Sequence, residues 1–397
     1  MVRFRCRTQV LGLLAATVVA LGAVVALVAT ERPAQAATMQ EVTGFGSNPG
    51  NLQMFRYVPT GLPAGRPLVV VMHGCTQNAA GYGAASGWAR LADTWGFALV
   101  LPQQRSANNA NSCFNWFENG DITRGSGEAL SIRQMVDRMR ADFASAATYV
   151  TGLSAGAAMT AVMLATYPEV FAGGGIVAGI PYRCATSVGA AFTCMNPGTG
   201  QTPAQWGDRV RAASSHTGPR PKVSIWHGTA DTTVRPSNLV ELVDQWTNAH
   251  GTDQTPDVSD TVAGYPHKVY GSVVETVEIT GMNHGQPIDP GAGTAQCGTV
   301  AAYVLDVNVC AAYHMARFWG LVNGTPPPTT TTTAPPPAAC FTDHNYGQVA
   351  AGRAHMSGGY TYANGSNQAM GLYNTFERHT LKRTAPNHYV LADSGCP

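Results

Sequence analysis

Charge is scarce in this chain. Lys, Arg, Asp and Glu make up only 12% of 397 residues, and the formal net charge is +1. A groove for nucleic acid or a face for anionic lipid needs clustered cations, so no nucleic-acid or membrane partner is expected of the folded protein. Metal-ligand patterns are missing too. No two cysteines have C-x-x-C spacing and there is no H-E-x-x-H, so neither a metal nor another cofactor is expected. Long apolar runs are confined to one place. Val10 to Ala29 carries no charge, and nothing later is apolar enough to span a bilayer.

That run has the flanks of an export signal. Arg3, Arg5 and Arg7 precede it, and Ala34-Gln35-Ala36 follows as a small-x-small cleavage site. Residues 1–36 therefore read as a signal peptide, with a mature, secreted, extracellular chain from Ala37. A retained anchor is the alternative, because the run is just long enough to span. Removing 1–36 takes four arginines and one glutamate. It leaves 20 Lys plus Arg against 22 Asp plus Glu, a formal charge of −2.

Nine cysteines are present, and Cys6 leaves with the signal. An even number in an exported chain points to disulfides, although eight cysteines allow many connectivities. Pairing of sequence neighbours is the simplest: Cys75 with Cys113, Cys184 with Cys194, Cys297 with Cys310, and Cys340 with Cys396.

Thr325 to Ala339 is built only of Thr, Pro and Ala. Such a segment forms no core and stays extended, reaching roughly 45 Å at polyproline rise. The expected domains are a body at 37–322, a linker at 323–339 and a tail at 340–397, acting as a monomer. In a tail this small, a Cys340–Cys396 bridge would serve as a staple.

The body alternates strand and helix signals. Pro67–Met72, Phe97–Pro102, Gly173–Ala178, Lys222–Trp226 and Val273–Ile279 read as strands, and the first two are continuous apolar runs of the kind covered on both faces. Ala84–Trp95, Gly127–Phe143 and Ser237–His250 read as helices. The class is α/β: a mainly parallel sheet with helices on both faces. Between Ala147–Thr151, a strand, and Ala157–Leu164, a helix, lies Gly152-Leu153-Ser154-Ala155-Gly156. Strand, tight turn and helix are the context in which G-x-S-x-G presents a nucleophilic serine at a helix N-terminus.

A serine nucleophile needs a base, an acid to orient it, and oxyanion donors. In a doubly wound sheet these sit beyond strand C-termini. His284 follows the Val273–Ile279 strand, and Asp231 follows the Lys222–Trp226 strand. The order Ser154, Asp231, His284 is that of an α/β-hydrolase. His267 is the rival base but precedes the last strong strand; Asp260 and Asp289 are rival acids. His73 and His227, each followed by glycine at a strand end, read as loop-shaping. The backbone N–H groups of Cys75 and Ala155 would form the oxyanion hole. If Cys75 is bridged to Cys113, the bridge fixes that loop and the Cys75 sulfur is no nucleophile.

With these residues in place, the body resembles secreted poly(3-hydroxybutyrate) depolymerases and the related feruloyl and acetylxylan esterases. The likeness runs through His73-Gly74-Cys75-Thr76-Gln77-Asn78, Asn111–Phe117, Gly152–Gly156, His227–Asp231 and Asn283-His284-Gly285. It implies the α/β-hydrolase fold, the Ser154, Asp231, His284 triad, and the subtype with its lipase box in mid-domain. The tail resembles the small β-rich substrate-binding domains of these depolymerases in Asn345–Val349, Ala351–Ala354 and Tyr360–Gly365. Tyr360 and Tyr362 alternate onto one strand face, and Asn364-Gly365 is a hairpin-turn signal. Tyr346, Tyr373, Phe376 and Tyr389 add aromatic surface, and at least half of these rings are expected to form the tail's own core. The implied substrate is a solid polyester of short hydroxyacids. The alternatives are a plant-wall feruloyl or acetylxylan esterase, and a non-catalytic secreted adhesion module.

Overall fold

The apolar runs become strands buried on both sides, as their lack of alternation requires. The computed structural model describes residues 38–321, 340–385 and 388–395. The expected signal peptide, the linker 323–339 and Cys396 lie outside the described residues. Ten strands form one sheet: β1 (Gln40–Val42), β2 (Gln53–Tyr57), β3 (Leu68–Met72), β4 (Ala98–Gln103), β5 (Thr148–Leu153), β6 (Gly173–Val177), β7 (Lys222–Gly228), β8 (Val258–Val262), β9 (Tyr265–Tyr270) and β10 (Val274–Ile279). Their order is β1-β2-β4-β3-β5-β6-β7-β10-β9-β8. The pairs from β4 to β10 are parallel, and an antiparallel hairpin-like pair closes each edge.

Odd and even residues of one strand serve opposite cores. Leu68, Val70 and Met72 face helices α3 (Gly127–Phe143), α4 (Ala155–Thr166) and α7 (Ser237–His250). Val69 and Val71 face α1 (Ala79–Ala85), α2 (Trp88–Trp95) and α8 (Ala311–Phe318). The expected single helix at Ala84–Trp95 is two helices. Gly87 breaks it with φ +89°, where an added Cβ would lie 2.3 Å from Cys297 Sγ. The remaining helices of the body are α5 (Val188–Met195) and α6 (Pro203–Arg211), and β11 (Gln286–Ile288) pairs with β12 (Val304–Asp306).

In the tail, β13 (Cys340–His344) pairs with β17 (Arg378–Ala385), which pairs with β18 (His388–Leu391). Helix α9 (Asn345–Ala350) leads to a second sheet of β14 (Ala354–Ser357), β15 (Tyr360–Ala363) and β16 (Ala369–Leu372). The tail's own core is small and aliphatic: Ala354, Ala363, Met370 and Leu381. This corrects the expectation for its rings. Only Tyr389 packs on that core, while Tyr346, Tyr360 and Phe376 are exposed and Tyr362 and Tyr373 are half-buried. The hairpin-turn signal holds, because β15 and β16 pair antiparallel on either side of Asn364-Gly365, and a tighter turn precedes β15. Gly358-Gly359, with φ +58° and +84°, joins β14 to β15, whereas Asn364-Gly365 opens a five-residue connection.

The turn from β5 into α4 is crowded. A Cβ on Gly156 would lie 2.3 Å from the Met72 carbonyl oxygen, and one on Gly152 would lie 2.4 Å from the Gly156 carbonyl carbon. Backbone cannot retreat as a flexible side chain can. Gly156→Ala is therefore expected to destabilise the fold by at least about 1–3 kcal/mol. Gly120→Ala, where nothing lies within 4 Å, should melt like the parent. Equal melting temperatures for the two variants would contradict this account.

Candidate active site

Ser154, Asp231, His284 and Cys75 follow β5, β7, β10 and β3, so all four sit just past the C-terminal ends of parallel strands. Ser154 is the N-cap of α4 at φ 57° and ψ −118°, a region that costs a non-glycine residue about 1–3 kcal/mol. Its N–H donates to Val177 O at 3.0 Å, and its carbonyl accepts from Ala158 N at 2.9 Å. The hydroxyl makes no hydrogen bond among the described residues. It opens on a cavity of about 700 Å³ that Cys75, Trp116, Phe192, His284 and Tyr303 also line.

Asp231 is buried and fully occupied. Its Oδ1 accepts from Thr233 N at 2.8 Å and Val234 N at 2.9 Å. Its Oδ2 accepts from His284 Nδ1 at 2.7 Å, and His227 Nε2 lies 3.4 Å away. Burial opposes its charge, but the hydrogen bonds from His227 and His284, with that from Val234 N–H, hold the carboxyl well below its ordinary range. This fixes the imidazole of His284: Nδ1 carries the proton that faces Asp231, which leaves Nε2 as the free basic atom. The two loops are tied together by Asn283, whose Oδ1 accepts from His284 N at 2.8 Å and Thr232 N at 3.3 Å.

The loop after β3 presents its N–H by a simple constraint. The carbonyl of Gly74 accepts from His73 Nδ1 at 2.8 Å and from Gln77 N at 3.3 Å. In a trans peptide the N–H of Cys75 then points the opposite way. Neither it nor the N–H of Ala155, the first of α4, has a hydrogen-bond partner among the described residues. Cys75 is bridged to Cys113, and Thr76 N donates to Asn111 O at 2.7 Å, so the arm is held at its side chain as well. Cys184–Cys194 and Cys297–Cys310 are the other bridges among the described residues whose two ends are both described.

The rivals lie elsewhere. His267 sits on β9 between Asp260 (2.6 Å) and Glu275 (3.1 Å) and does not line the cavity. The hydrogen bond to Glu275 pushes its pKa up. Asp289 accepts from Gln296 Nε2. Sequence reasoning named Asn283 only within a motif and gave it no role, missed the buried acid Glu128, and understated His73 and His227. No group of three or more His, Cys, Asp or Glu able to hold a metal ion occurs among the described residues, and no helix there is long and apolar enough to cross a membrane.

Burial lowers the pKa of His73 to about 4, and does the same to His250 and His314. Unfolded histidine titrates near ~6.5. Between these values the unfolded chain binds protons that the native one refuses, so this contribution to stability is lost as pH falls from about 6.5 to 4. Burial raises Glu128 to about 8, which works in the opposite sense: its native form keeps a proton that the unfolded form sheds. His73→Asn should therefore show a shallower loss of melting temperature than the parent on acidification across this window. Parallel melting curves for the two would refute the buried neutral histidine.

Comparison with known proteins gives this geometry a family. The model of the family described as Esterase PHB depolymerase matches residues 52–258, a span holding Cys75, Ser154 and Asp231. Poly(3-hydroxyalkanoate) depolymerase C of Paucimonas lemoignei is 61% identical over 292 residues, 72% of this chain and 70% of that protein. Feruloyl esterase B of Talaromyces stipitatus is 34% identical over 64% of this chain and 74% of its own length. Among solved structures, the acetyl xylan esterase from Aspergillus awamori matches with TM-score 0.62 at 28% identity, over 72% of this chain and all of that one. The sheet order, the serine turn and these identities lead to one conclusion: the chain belongs to the Esterase PHB depolymerase family and has its α/β-hydrolase fold.

Proposed function

We propose that this protein is a secreted serine esterase that hydrolyses poly(3-hydroxybutyrate) or a similar short-chain polyhydroxyalkanoate to oligomers and monomers. The observation that carries the chemistry is the 2.7 Å contact of His284 Nδ1 with buried Asp231 on the wall of the cavity that Ser154 enters. Ser154 Oγ attacks a backbone ester carbonyl. His284 Nε2 takes its proton and returns it to the leaving hydroxyl, while Asp231 holds the ring and offsets its positive charge. The N–H groups of Cys75 and Ala155 receive the oxyanion. Water then attacks the acyl-enzyme by the same base. A hydroxyl with no partner at rest is compatible with this role, because such contacts tighten when substrate binds.

The polymer assignment leans on the relative at 61% identity, against 34% for the feruloyl esterase. The surface supports it. Among the described residues, eleven large hydrophobic side chains are exposed. Val188, Phe192 and Tyr303 of these line the cavity, and Tyr346, Met356, Tyr360, Leu372 and Phe376 belong to the tail. Tyr360 stands directly across from Leu372 in the β15–β16 ladder. Apolar and amphipathic side chains on an outer face suit an ester-rich solid. The organisation proposed is a signal peptide at 1–36, a catalytic domain at 37–322, a Thr/Pro linker at 323–339 and a substrate-binding domain at 340–397. Three bridges in the body fit an oxidising compartment.

Ser154→Ala should lower turnover of a soluble p-nitrophenyl ester by about a thousandfold or more while the protein stays folded. His284→Ala should be nearly as damaging, the two losses should not add, and His267→Ala should be mild. Activity of Ser154→Ala within about tenfold of the parent would remove the nucleophile assignment.

A chain ending at Asn323 should keep its activity on soluble esters and lose much of it on solid polymer. The tail raises the effective concentration of the body at the surface, and a linker of polyproline character sets its reach. The isolated tail should adsorb to poly(3-hydroxybutyrate) granules more than to cellulose or xylan. Retention on xylan with none on the polyester would transfer the assignment to a plant-wall esterase.

A further inference from the structure

One buried acid has no part in the chemistry above. Glu128, in the first turn of α3, is fully buried and does not line the cavity. Both of its carboxyl oxygens are engaged. Oε2 accepts from Asn115 N at 2.9 Å, and Oε1 accepts from Gln104 Nε2. Gln104 lies just beyond β4 and is itself buried. Its Nε2 also donates to Cys113 O at 3.1 Å, and its Oε1 accepts from Asn108 Nδ2 at 2.8 Å. Its backbone N–H donates to His73 Nε2 at 3.2 Å. That bond completes a chain, because His73 Nδ1 in turn holds the Gly74 carbonyl.

Two routes therefore lead from Glu128 to one peptide. Through Gln104 and His73 it reaches the carbonyl of Gly74. Through Gln104 and Asn115 it brackets Cys113, whose sulfur is bonded to that of Cys75. The peptide between Gly74 and Cys75 is thus gripped from its oxygen and from its side chain, and its N–H is the group left free. The tautomer of His73 is dictated on the way. A backbone N–H pointing at Nε2 makes that atom an acceptor, so Nδ1 must carry the proton given to Gly74. An acid is a costly way to hold a loop in the protein interior, and burial makes this one keep its proton. Its two oxygens can accept from both donors at once, the protonated one through its remaining lone pair, which an amide in the same place cannot do without turning an N–H onto a donor.

We infer that Glu128, acting through Gln104 and His73, is a positioning residue for the oxyanion donor of Cys75, and that its loss slows the chemical step rather than substrate binding. This rests on the reading of Cys75 N–H as an oxyanion donor. Removing a donor outright typically costs a hundred- to thousandfold, so misplacing one should cost less, about ten- to a hundredfold in kcat.

The test uses the full chain and a soluble p-nitrophenyl ester, with rates expressed per active site titrated by an organophosphate. That normalisation counts only folded enzyme. Glu128→Gln should lower kcat by about tenfold or more and leave KM within about threefold. Inhibition by an alkyl trifluoromethyl ketone, whose adduct with serine carries an oxyanion, should weaken in step with kcat/KM. Gln104→Met should give the same pattern, and the double variant should be no worse than the more damaged single one. Glu241→Gln is the comparison: Glu241 is another buried acid, holding the N–H groups of Thr199 and Gly200, and its loss should lower the melting temperature with kcat unchanged. A kcat for Glu128→Gln and Gln104→Met within about twofold of the parent, ketone affinity unchanged, or an equal kcat loss in Glu241→Gln would overturn the inference. Ser154→Ala in the same assay separates the two readings. If it stays active, the triad reading fails; if it is inactive while Glu128→Gln is fast, only the positioning role fails.

Discussion

Everything at this site depends on how closely two pieces of backbone approach. The carbonyls of Met72 and His73, at the end of β3, lie 2.3 and 2.6 Å from where a Cβ of Gly156 would stand. No side chain fits between them. The contact presses the start of α4 against the end of β3 and leaves the residue between strand and helix no relaxed conformation. Ser154 takes the strained one. The same contact brings the loop leaving β3 beside the serine, where the N–H groups of Cys75 and Ala155 can converge on one point. The proposed nucleophile and the proposed anion site are thus set by one steric fact, and the strain is paid for by the buried sheet around it.

The proposed acid and base are placed by a second economy of the fold. Asp231 and His284 grow from β7 and β10, which are parallel neighbours in register from Val223 to Gly228. Loops leaving adjacent parallel strands emerge side by side, so their side chains need no long reach. Asn283 ties the two loops, and Asp231 spends its other oxygen on the N–H groups of its own turn. The carboxylate is thereby immobile before the imidazole meets it.

These strand-end residues were legible in the sequence because their signals are local. An apolar run, a small-residue turn and a polar residue just past a strand locate Ser154, Asp231 and His284 without any knowledge of contacts. Glu128 was not legible. An acid in the first turn of a helix is the ordinary complement of the helix dipole, and nothing in the pattern around it says that this one faces inward. Gln104, one residue past an apolar strand, looks like any solvated strand end. Their meeting with His73 is a long-range event among three elements. The tail failed in the other direction. Aromatic residues there suggested a core, but a segment of that size filled its interior with alanine, methionine and leucine and, of the rings named, packed only Tyr389 against it. Hydropathy ranks residues by affinity for an interior and cannot tell an interior from an exposed apolar face. The break at Gly87 was hidden for a related reason: it answers to Cys297, far away in sequence.

The bond between Cys75 and Cys113 carries a consequence for the life history of the molecule. Thiols stay reduced in the cytosol, where chains are made, and are joined in oxidising compartments. Until then, the arm bearing the Cys75 N–H lacks its covalent tether, whatever the state of the serine, acid and base. On the proposed export, full competence is acquired in transit, as a coincidence of folding with location. On the proposed function, a cell that keeps its own reserve of the proposed polyester substrate would synthesise this protein beside that reserve in a form not yet finished.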